Sequence, residues 1–490
     1  MQDRHTPANS NPSGNPRRSG SSQNVRRRKR PTNTQNVVRM LLGVLLVVCL
    51  LFSFQLCKQL VGKITGDDNS PTVQTDPSKT NPIITTPKKT KPGETTPVPT
   101  TTEPPVPQVV STASVGVTGD ILMHGPVINA GKKGGSYEYS QMFQYVKPYY
   151  EKYDIMVANL ECTLGGPEAG DYKGYPTFNC PDQIIDALKG AGVDLMLTAN
   201  NHSYDTGFAG FKRTLEVIQG KGLPTLGTQL EEDAKEYIVQ DINGIKVGLI
   251  CYTYETGGDN PDRNYLNGIM LNAQASNMVT CYNYNKLDAF YSHLQTQLTA
   301  MEAEGAEATV VFIHWGDEYA LNPNANQKKI AQRLCDMGID VIVGGHPHVV
   351  EPFDTLTSAT GEKTYCIYSV GNALSNQNRN TISDANNKYT EDGMIFGVTF
   401  QKWSDGKVEV AEVEITPTWV DKFNASTSNG VDYRIYPLDA ALESWSSFGA
   451  SNHSRLAESY GRTLGLVGEG LNAARQDLGL DSVPTSVTNK

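Results

Sequence analysis

From Ser111 to about Pro417, short apolar runs alternate with amphipathic stretches. Ser114–Thr118, Asp154–Leu160, Val193–Thr198, Lys246–Tyr254, Ala308–Ile313, Val341–Val343 and Cys366–Val370 are apolar or β-branched runs bounded by turn residues, and each predicts a strand. Between them, Gln141–Tyr153, Ile184–Gly190, Phe208–Gly220, Leu287–Glu304 and Gln327–Gly338 read as helices. Met394–Gln401 and Val408–Pro417 look like a closing pair of antiparallel strands. Strands alternating with helices imply an α/β sheet covered by helices.

Outside this body the pattern changes. Met40 to Cys57 is almost unbroken apolar sequence without a charge. As a helix it would span about 27 Å, close to the hydrocarbon thickness of a bilayer. It predicts a single transmembrane helix over 40–57. Arg39 and the run Arg26-Arg27-Arg28-Lys29-Arg30 stand before it, with only Lys58 and Lys63 close behind. The positive-inside rule then makes residues 1–39 a disordered, basic cytoplasmic tail and puts the main domain outside the cell membrane. A cleaved signal peptide is the rival reading, but the leader is long and no small-x-small site follows Leu56. Residues 58–110 are rich in Thr and Pro and predict an extended extracellular stalk. The domain itself is expected over 111–420. Residues 421–490, with helical character at Ala440–Trp445 and His453–Asn472, are expected as a helical extension packed on it.

Charge supports that topology. Residues 1–65 hold eleven Lys and Arg against one Asp, a net of +10, which leaves −20 for the rest of a chain whose total is −10. A basic end next to a membrane span on an acidic body argues for membrane topology and against a nucleic-acid partner. Cys162, Cys180, Cys251, Cys281, Cys335 and Cys366 lie in the body, several in strand-like runs, and read as mostly buried free thiols. No C-x-x-C pair is present, which excludes the usual cysteine zinc site.

The polar residues carry a second pattern. Asp120, Glu161, Asn201, His202, His314, His346, His348 and Asn372 all stand at or just beyond a predicted strand end. Open α/β sheets bind ligands outside the carboxyl ends of their strands. Taken singly, each residue has an ordinary role: Asp120 as a helix cap, Asn201 in a turn, His314 packed beside Trp315. Eight together point to a site. In Gly344-Gly345-His346-Pro347-His348 the glycines are expected to turn the chain, and alternation in an extended segment would aim both histidines at one point. Carboxylate, imidazole and carboxamide ligands suit Zn, Mn, Fe or Mg. There are enough of them for two divalent ions sharing one carboxylate, the arrangement that clamps a phosphoester.

The order Gly119-Asp120, Asn159-Leu160-Glu161, Asn200-Asn201-His202, His314-Trp315-Gly316-Asp317-Glu318 and Gly345-His346-Pro347-His348, followed by Gly371-Asn372, resembles the calcineurin-like metallophosphoesterases. Its wording is similar to the CapA, or poly-γ-glutamate (capsule) synthesis, branch over about residues 113–376. The resemblance implies a four-layer αββα sandwich. It implies that Asp120 and His348 hold one ion, that Asn201, His314 and His346 hold a second, and that Glu161 bridges them. The ions would be Mn, Zn or Fe. His202 would stabilise the transition state or protonate the leaving oxygen, with Asn372 beside it as a second catalytic residue. Asn159, Asn200, Asp205 and Glu318 would hold those groups in place. Phe178, Asn179 and Tyr254 are expected to line the substrate cleft. One position departs: the wider superfamily writes Asp-x-His, but Leu122 stands two residues after Asp120, and His124 is the nearest replacement.

The resemblance further implies a role in making or exporting capsule or poly-γ-glutamate polymer. The partners would be membrane-embedded synthase or ligase subunits and an anionic polymer or phosphoester substrate. Two functions follow, a metal-dependent phosphoester hydrolase and a non-catalytic assembly or export factor on the same fold.

Overall fold

The computed structural model describes residues 106–486, apart from 259, 261, 426–429 and 441–452. The apolar run over 40–57, the stalk and most of Ala440–Trp445 lie outside the described residues. Among the described residues no helix is long and apolar enough to cross a membrane.

Two sheets form the body. The strands of the first half of the chain are β1 (Val109–Ile121), β2 (Ile155–Leu160), β3 (Leu195–Leu197), β4 (Thr225–Leu226), β5 (Tyr237–Ile242), β6 (Ile245–Tyr254) and β7 (Cys281–Tyr282). Those of the second half are β8 (Ala308–His314), β9 (Val341–Gly345), β10 (Phe353–Thr357), β11 (Lys363–Ile367), β12 (Asn372–Leu374), β13 (Asp392–Trp403), β14 (Val408–Asn424) and β15 (Val431–Pro437). The first sheet runs β15-β14-β13-β1-β2-β3-β4, with β12 pairing alongside the end of β1. The second runs β7-β6-β8-β9-β11-β10, with β5 on β6. In each sheet the middle strands are parallel, so their carboxyl ends share one edge.

Alternation along the strands separates the layers. Val115, Val117, Leu195 and Leu197 of the first sheet meet Val247, Leu249, Val310, Phe312, Val341 and Val343 of the second in one buried core. The intervening residues face outward. Met156 and Ala158 pack under α2 (Ser140–Phe143), α3 (Lys147–Tyr150) and α4 (Gln183–Gly190), with Met142, Phe143, Tyr150, Ile184 and Leu188. Ile250, Tyr252, Val311, Ile313 and Ile342 pack against Phe290 and Leu294 of α6 (Leu287–Ala303) and Ile330 and Leu334 of α7 (Ala325–Asp336). A strand buried on both faces must read as continuous apolar sequence, and these do. The result is helices, sheet, sheet, helices. Helix α1 (Gly125–Ala130) follows β1, and α5 (Gly207–Gly220) follows β3.

The segment after residue 420 begins as sheet. β14 runs through that position to Asn424, and β15 adds an antiparallel strand to the first sheet. Helix α8 (His453–Asp477) follows. Val467, Leu471 and Ala474 enter the core between the sheets, while Leu456, Tyr460 and Leu464 pack on Trp419 and Tyr436. Arg462 reaches the buried Asp392 with both nitrogens at 2.6 Å, and Ser459 Oγ donates to the same carboxylate. A Cβ on Gly470 would stand 1.8 Å from the Phe353 carbonyl, so only glycine lets the helix lie against β10. The six cysteines of this body are free thiols.

Because Leu471 is fully buried in the inter-sheet core, Leu471→Ala is expected to cost about 2–5 kcal/mol. Urea unfolding would show it as a lower midpoint with an unchanged slope.

Candidate metal centre

The carboxyl ends of the two sheets deliver the candidate ligands. β1 supplies Asp120, the turn after β2 supplies Glu161, and the turn after β3 supplies Asn200, Asn201 and His202. From the second sheet come His314 at the end of β8 and His346 and His348 just past β9. Among the described residues these form two groups whose ligand atoms lie within 4.8 Å of one another: Glu161, His314 and His346, and Asp120, Glu161 and His348. Glu161 belongs to both. His314 Nε2 is 3.4 Å and His348 Nε2 is 3.7 Å from Glu161 Oε1. His348 Nδ1 is 3.3 Å from Asp120 Oδ2. Asn201 Oδ1 joins the first group, 2.9 Å from His314 Nε2.

The burial of these atoms tests whether a cation fits. Glu161 is 0% exposed, and neither of its oxygens has a hydrogen-bond partner among the described residues. His346 Nδ1 and His348 Nδ1 are likewise buried without one. A buried carboxylate left unpaired costs several kcal/mol. Divalent ions on either side of Glu161 would satisfy these atoms together, and the oxygen and imidazole donors suit Mn, Zn or Fe. The centre is therefore compatible with divalent metal binding.

Hydrogen bonds lock the ligands. Asn159 Nδ2 donates to Asp120 Oδ1 at 2.8 Å, and the His346 N–H donates to Asp120 Oδ2 at 3.2 Å. Asn200 Nδ2 reaches Asn159 Oδ1 (3.0 Å) and the Leu160 carbonyl (2.9 Å). Tyr254 O–H lies 3.1 Å from His346 Nε2, which leaves Nδ1 to face the centre. Burial works against the charge on Asp120, but the His348 and His314 imidazoles outweigh it and hold the carboxyl below its ordinary range. Burial also opposes protonation of His348, yet the Glu161 and Asp120 carboxylates push it up to about 9. Burial, with His314 and His348 nearby, pushes His346 well down. The like-typed imidazoles thus differ by which carboxylates face them.

The histidine turn departs from expectation. Gly344 and Gly345 are the last residues of β9, and the turn falls on the histidines, with φ of 98° at His346 and 57° at His348. Left-handed backbone at residues with a side chain is strained, and it persists where the surroundings over-determine it. The segment is not extended, so the rings do not aim at one point; each joins a different group. The glycines serve close approach instead. A Cβ on Gly344 would stand 1.9 Å from the Tyr368 carbonyl, and one on Gly345 3.0 Å from Asp120 Oδ1.

Other expected residues are placed differently. His124 joins neither group; its Nδ1 accepts from the Asn376 N–H at 3.4 Å, and burial, then the charge of His348, pushes it down to about 4. Phe178 is fully buried, edge-on to His124 (5.3 Å) and His202 (4.8 Å), so it separates the two rings instead of lining a surface. Asn179 is also fully buried, its Nδ2 turned to the Gly166 and Gly170 carbonyls, and it clasps a loop. Asn372 sits beside Asp120 in register, but its buried Nδ2 faces the His348 and Thr390 carbonyls and Gln377 Oε1. Through Nδ2 it anchors the His348 turn, while its buried Oδ1 has no hydrogen-bond partner among the described residues. Tyr254 is held beside the centre, on His346. Glu318 is exposed at the rim.

His202 stands at the edge of the centre with Nδ1 2.8 Å from Asp205 Oδ2. Asp205 also accepts from the Phe178 N–H (2.7 Å) and from Asn267 Nδ2 (2.9 Å). Asn267 escaped the sequence reading. It tips a hairpin of Tyr265–Leu266 and Ile269–Met270, and Asn267-Gly268 is the dipeptide such turns demand. Glu351 was missed as well. It is fully buried with Oε1 unpartnered among the described residues, while Gln327 Nε2 donates to Oε2 at 2.7 Å. Burial, opposed by that bond and helped by Asp317, pushes its carboxyl up to about 8.

A two-sheet α/β domain with a buried carboxylate–imidazole centre defines the class. The family model of the bacterial capsule synthesis protein PGA_cap matches residues 114–377, and the chain belongs to that family. It is 26% identical over 317 residues to the PGA biosynthesis protein CapA of Bacillus subtilis (strain 168), an alignment covering 63% of this chain and 74% of that protein. It is 26% identical over 265 residues to the capsule biosynthesis protein CapA of Bacillus anthracis, covering 53% of this chain and 59% of the relative, less than two thirds of its length. Among solved structures, the NAD nucleotidase NadN of Haemophilus influenzae overlaps 75% of this chain and 59% of its own at 13% identity and a TM-score of 0.38.

Two outcomes check the centre. Elemental mass spectrometry of the full-length chain should find about two transition-metal ions per chain, and Glu161→Gln should lower this to one or none. Glu351 has a folded pKa of about 8 against roughly 4.3 unfolded. The native state keeps a proton that the unfolded chain releases, so this contribution is full below pH ~4 and is lost as pH rises toward 8. Glu351→Gln should flatten that decline, read by urea unfolding at pH 5 and pH 8.

Proposed function

We propose that this protein is a membrane-anchored, outward-facing component of the machinery that makes or exports poly-γ-glutamate or a related capsule polymer, and that its centre hydrolyses a phosphoester. The observation that carries the hydrolase reading is Glu161, wholly buried and without a hydrogen-bond partner between two imidazole groups. When bound, two divalent ions at that carboxylate supply Lewis acidity and a nucleophile at neutral pH. The polymer role rests on family membership and on what the two CapA relatives are named for. The anchor rests on the apolar run 40–57 and its basic flank.

The chain's own residues then divide the work. Asp120, Glu161, Asn201, His314, His346 and His348 hold the ions. Their placement at strand ends of two packed sheets fixes the ligands with little freedom to relax, which is what preorganised charge stabilisation requires. Asp205 takes the Nδ1 side of His202 and leaves Nε2 to hold a proton for the leaving oxygen. Phe178 packs edge-on against that ring and holds it in place. Membrane synthase or ligase subunits are the proposed partners, since a tethered domain would act where polymer leaves the membrane.

His202→Ala tests the assignment. Turnover of a phosphomonoester by the Mn-loaded chain should fall about 10²–10⁴-fold with metal content retained. Unchanged turnover would remove His202 from the mechanism.

A further inference from the structure

Beside the metal centre lies a cavity of about 640 Å³ whose lining includes His124, Tyr175, Glu318, Tyr319, Asn376 and Asp384. Its lining residue Tyr319 touches the centre: its ring centroid is 6.4 Å from that of His348 and its N–H donates to the Pro347 carbonyl. Its far wall is the loop carrying Tyr175. That loop packs on His124 so closely that a Cβ on Gly174 would stand 2.7 Å from His124 Cα. Tyr175 itself is 76% exposed, a large ring left in solvent at the mouth.

The chemistry of the lining is specific in what it omits. It contains no Lys or Arg and it does contain two carboxylates, Glu318 and Asp384. The nearby cation, Lys422, is held on Asn376 Oδ1 at 2.7 Å. Tyr433 O–H donates to the same oxygen at 2.7 Å, so the Asn376 amide is fixed with Nδ2 turned away from both. Tyr319 Oη accepts from Gln377 Nε2 at 3.2 Å, and its hydroxyl is itself hydrogen-bonded to the Glu318 carboxylate. The wall thus presents carboxylates and neutral polar groups beside an exposed aromatic face.

An anionic chain would meet two carboxylates, with the nearby Lys422 already held on Asn376 Oδ1. A hydroxyl both donates and accepts, and so matches such a mixed lining. The C–H face of a sugar ring covers an exposed tyrosine, recovering apolar area that Tyr175 leaves in water. We propose that this cavity binds the leaving group of the phosphoester, and that this group is neutral and hydroxyl-rich: a glycosyl unit, not a glutamyl chain. The assignment of a leaving group rests on the hydrolase reading above; the ligand class rests on the lining alone.

Saturation-transfer NMR on the full-length chain in a sugar-free detergent tests the ligand class without turnover. The probes are methyl α-glucopyranoside, methyl N-acetyl-β-glucosaminide and tri-γ-glutamate. At least one glycoside should take up saturation and tri-γ-glutamate should not. Tyr175→Ala, at an exposed position that leaves the core intact, should weaken the glycoside about tenfold. Transfer to tri-γ-glutamate, no transfer to either glycoside, or transfer indifferent to Tyr175→Ala would overturn the proposal. Turnover of methyl phosphate by the Mn-loaded chain is measured alongside. Glycoside binding without that turnover would sink the hydrolase reading and leave the ligand class standing. Turnover without glycoside binding would do the reverse.

Discussion

The structure depends on one carboxylate kept out of water. Glu161 is fully buried, its oxygens lack hydrogen-bond partners among the described residues, and imidazoles approach from the opposite sheet. A charge in that position is stable only with countercharge at close range. The five other polar groups around it make sense as its company. Asp120 and His348 stand on one side, Asn201, His314 and His346 on the other, and no single strand could deliver both sets. Two parallel sheet centres whose carboxyl ends share an edge can do so, because each strand contributes one short polar turn and returns to apolar packing.

Rigidity around that carboxylate is supplied by amides. The run from Asp120 to Asn159 to Asn200 ties the ends of β1, β2 and β3 into one unit. Asn372 does the same for the His348 turn, which carries two histidines at positive φ. Strain of that kind survives because the neighbouring glycines allow the backbones to close on Asp120 and on the Tyr368 carbonyl. Asn179, expected in the substrate cleft, is likewise buried and ties a loop through the Gly166 and Gly170 carbonyls. Farther off, α8 seals the edge between the sheets and clamps Asp392 through Arg462. The last part of the chain is therefore structural to the same sandwich.

Family membership and the site pull toward different ligands. One relative is named for PGA biosynthesis and the other for capsule biosynthesis, and the cavity beside the centre is lined by carboxylates and neutral polar groups. On the proposed reading, a phosphoester with a sugar-like leaving group would reconcile these. The phosphate would face the ions, the neutral part would face Tyr175, and the polymer need not enter the site.

The sequence by itself determined the alternation of strands and helices, because residues buried on both faces of a parallel strand must be apolar along their whole run. It also marked the ligands, since Asp120, Glu161, Asn201, His314, His346 and His348 interrupt that apolar pattern at strand ends. The hairpin bearing Asn267 was not read, although Asn267-Gly268 carried its signal. Only the tertiary structure decided which of these groups come together, because that depends on how two sheets are registered across a core. It separated His346 from His348 by a turn that strand periodicity does not describe. It left His124 with Asn376 and outside the ligand groups, and buried Phe178 between two rings. Burial and hydrogen-bond partnering are properties of the packed chain; a residue's type and spacing fix neither.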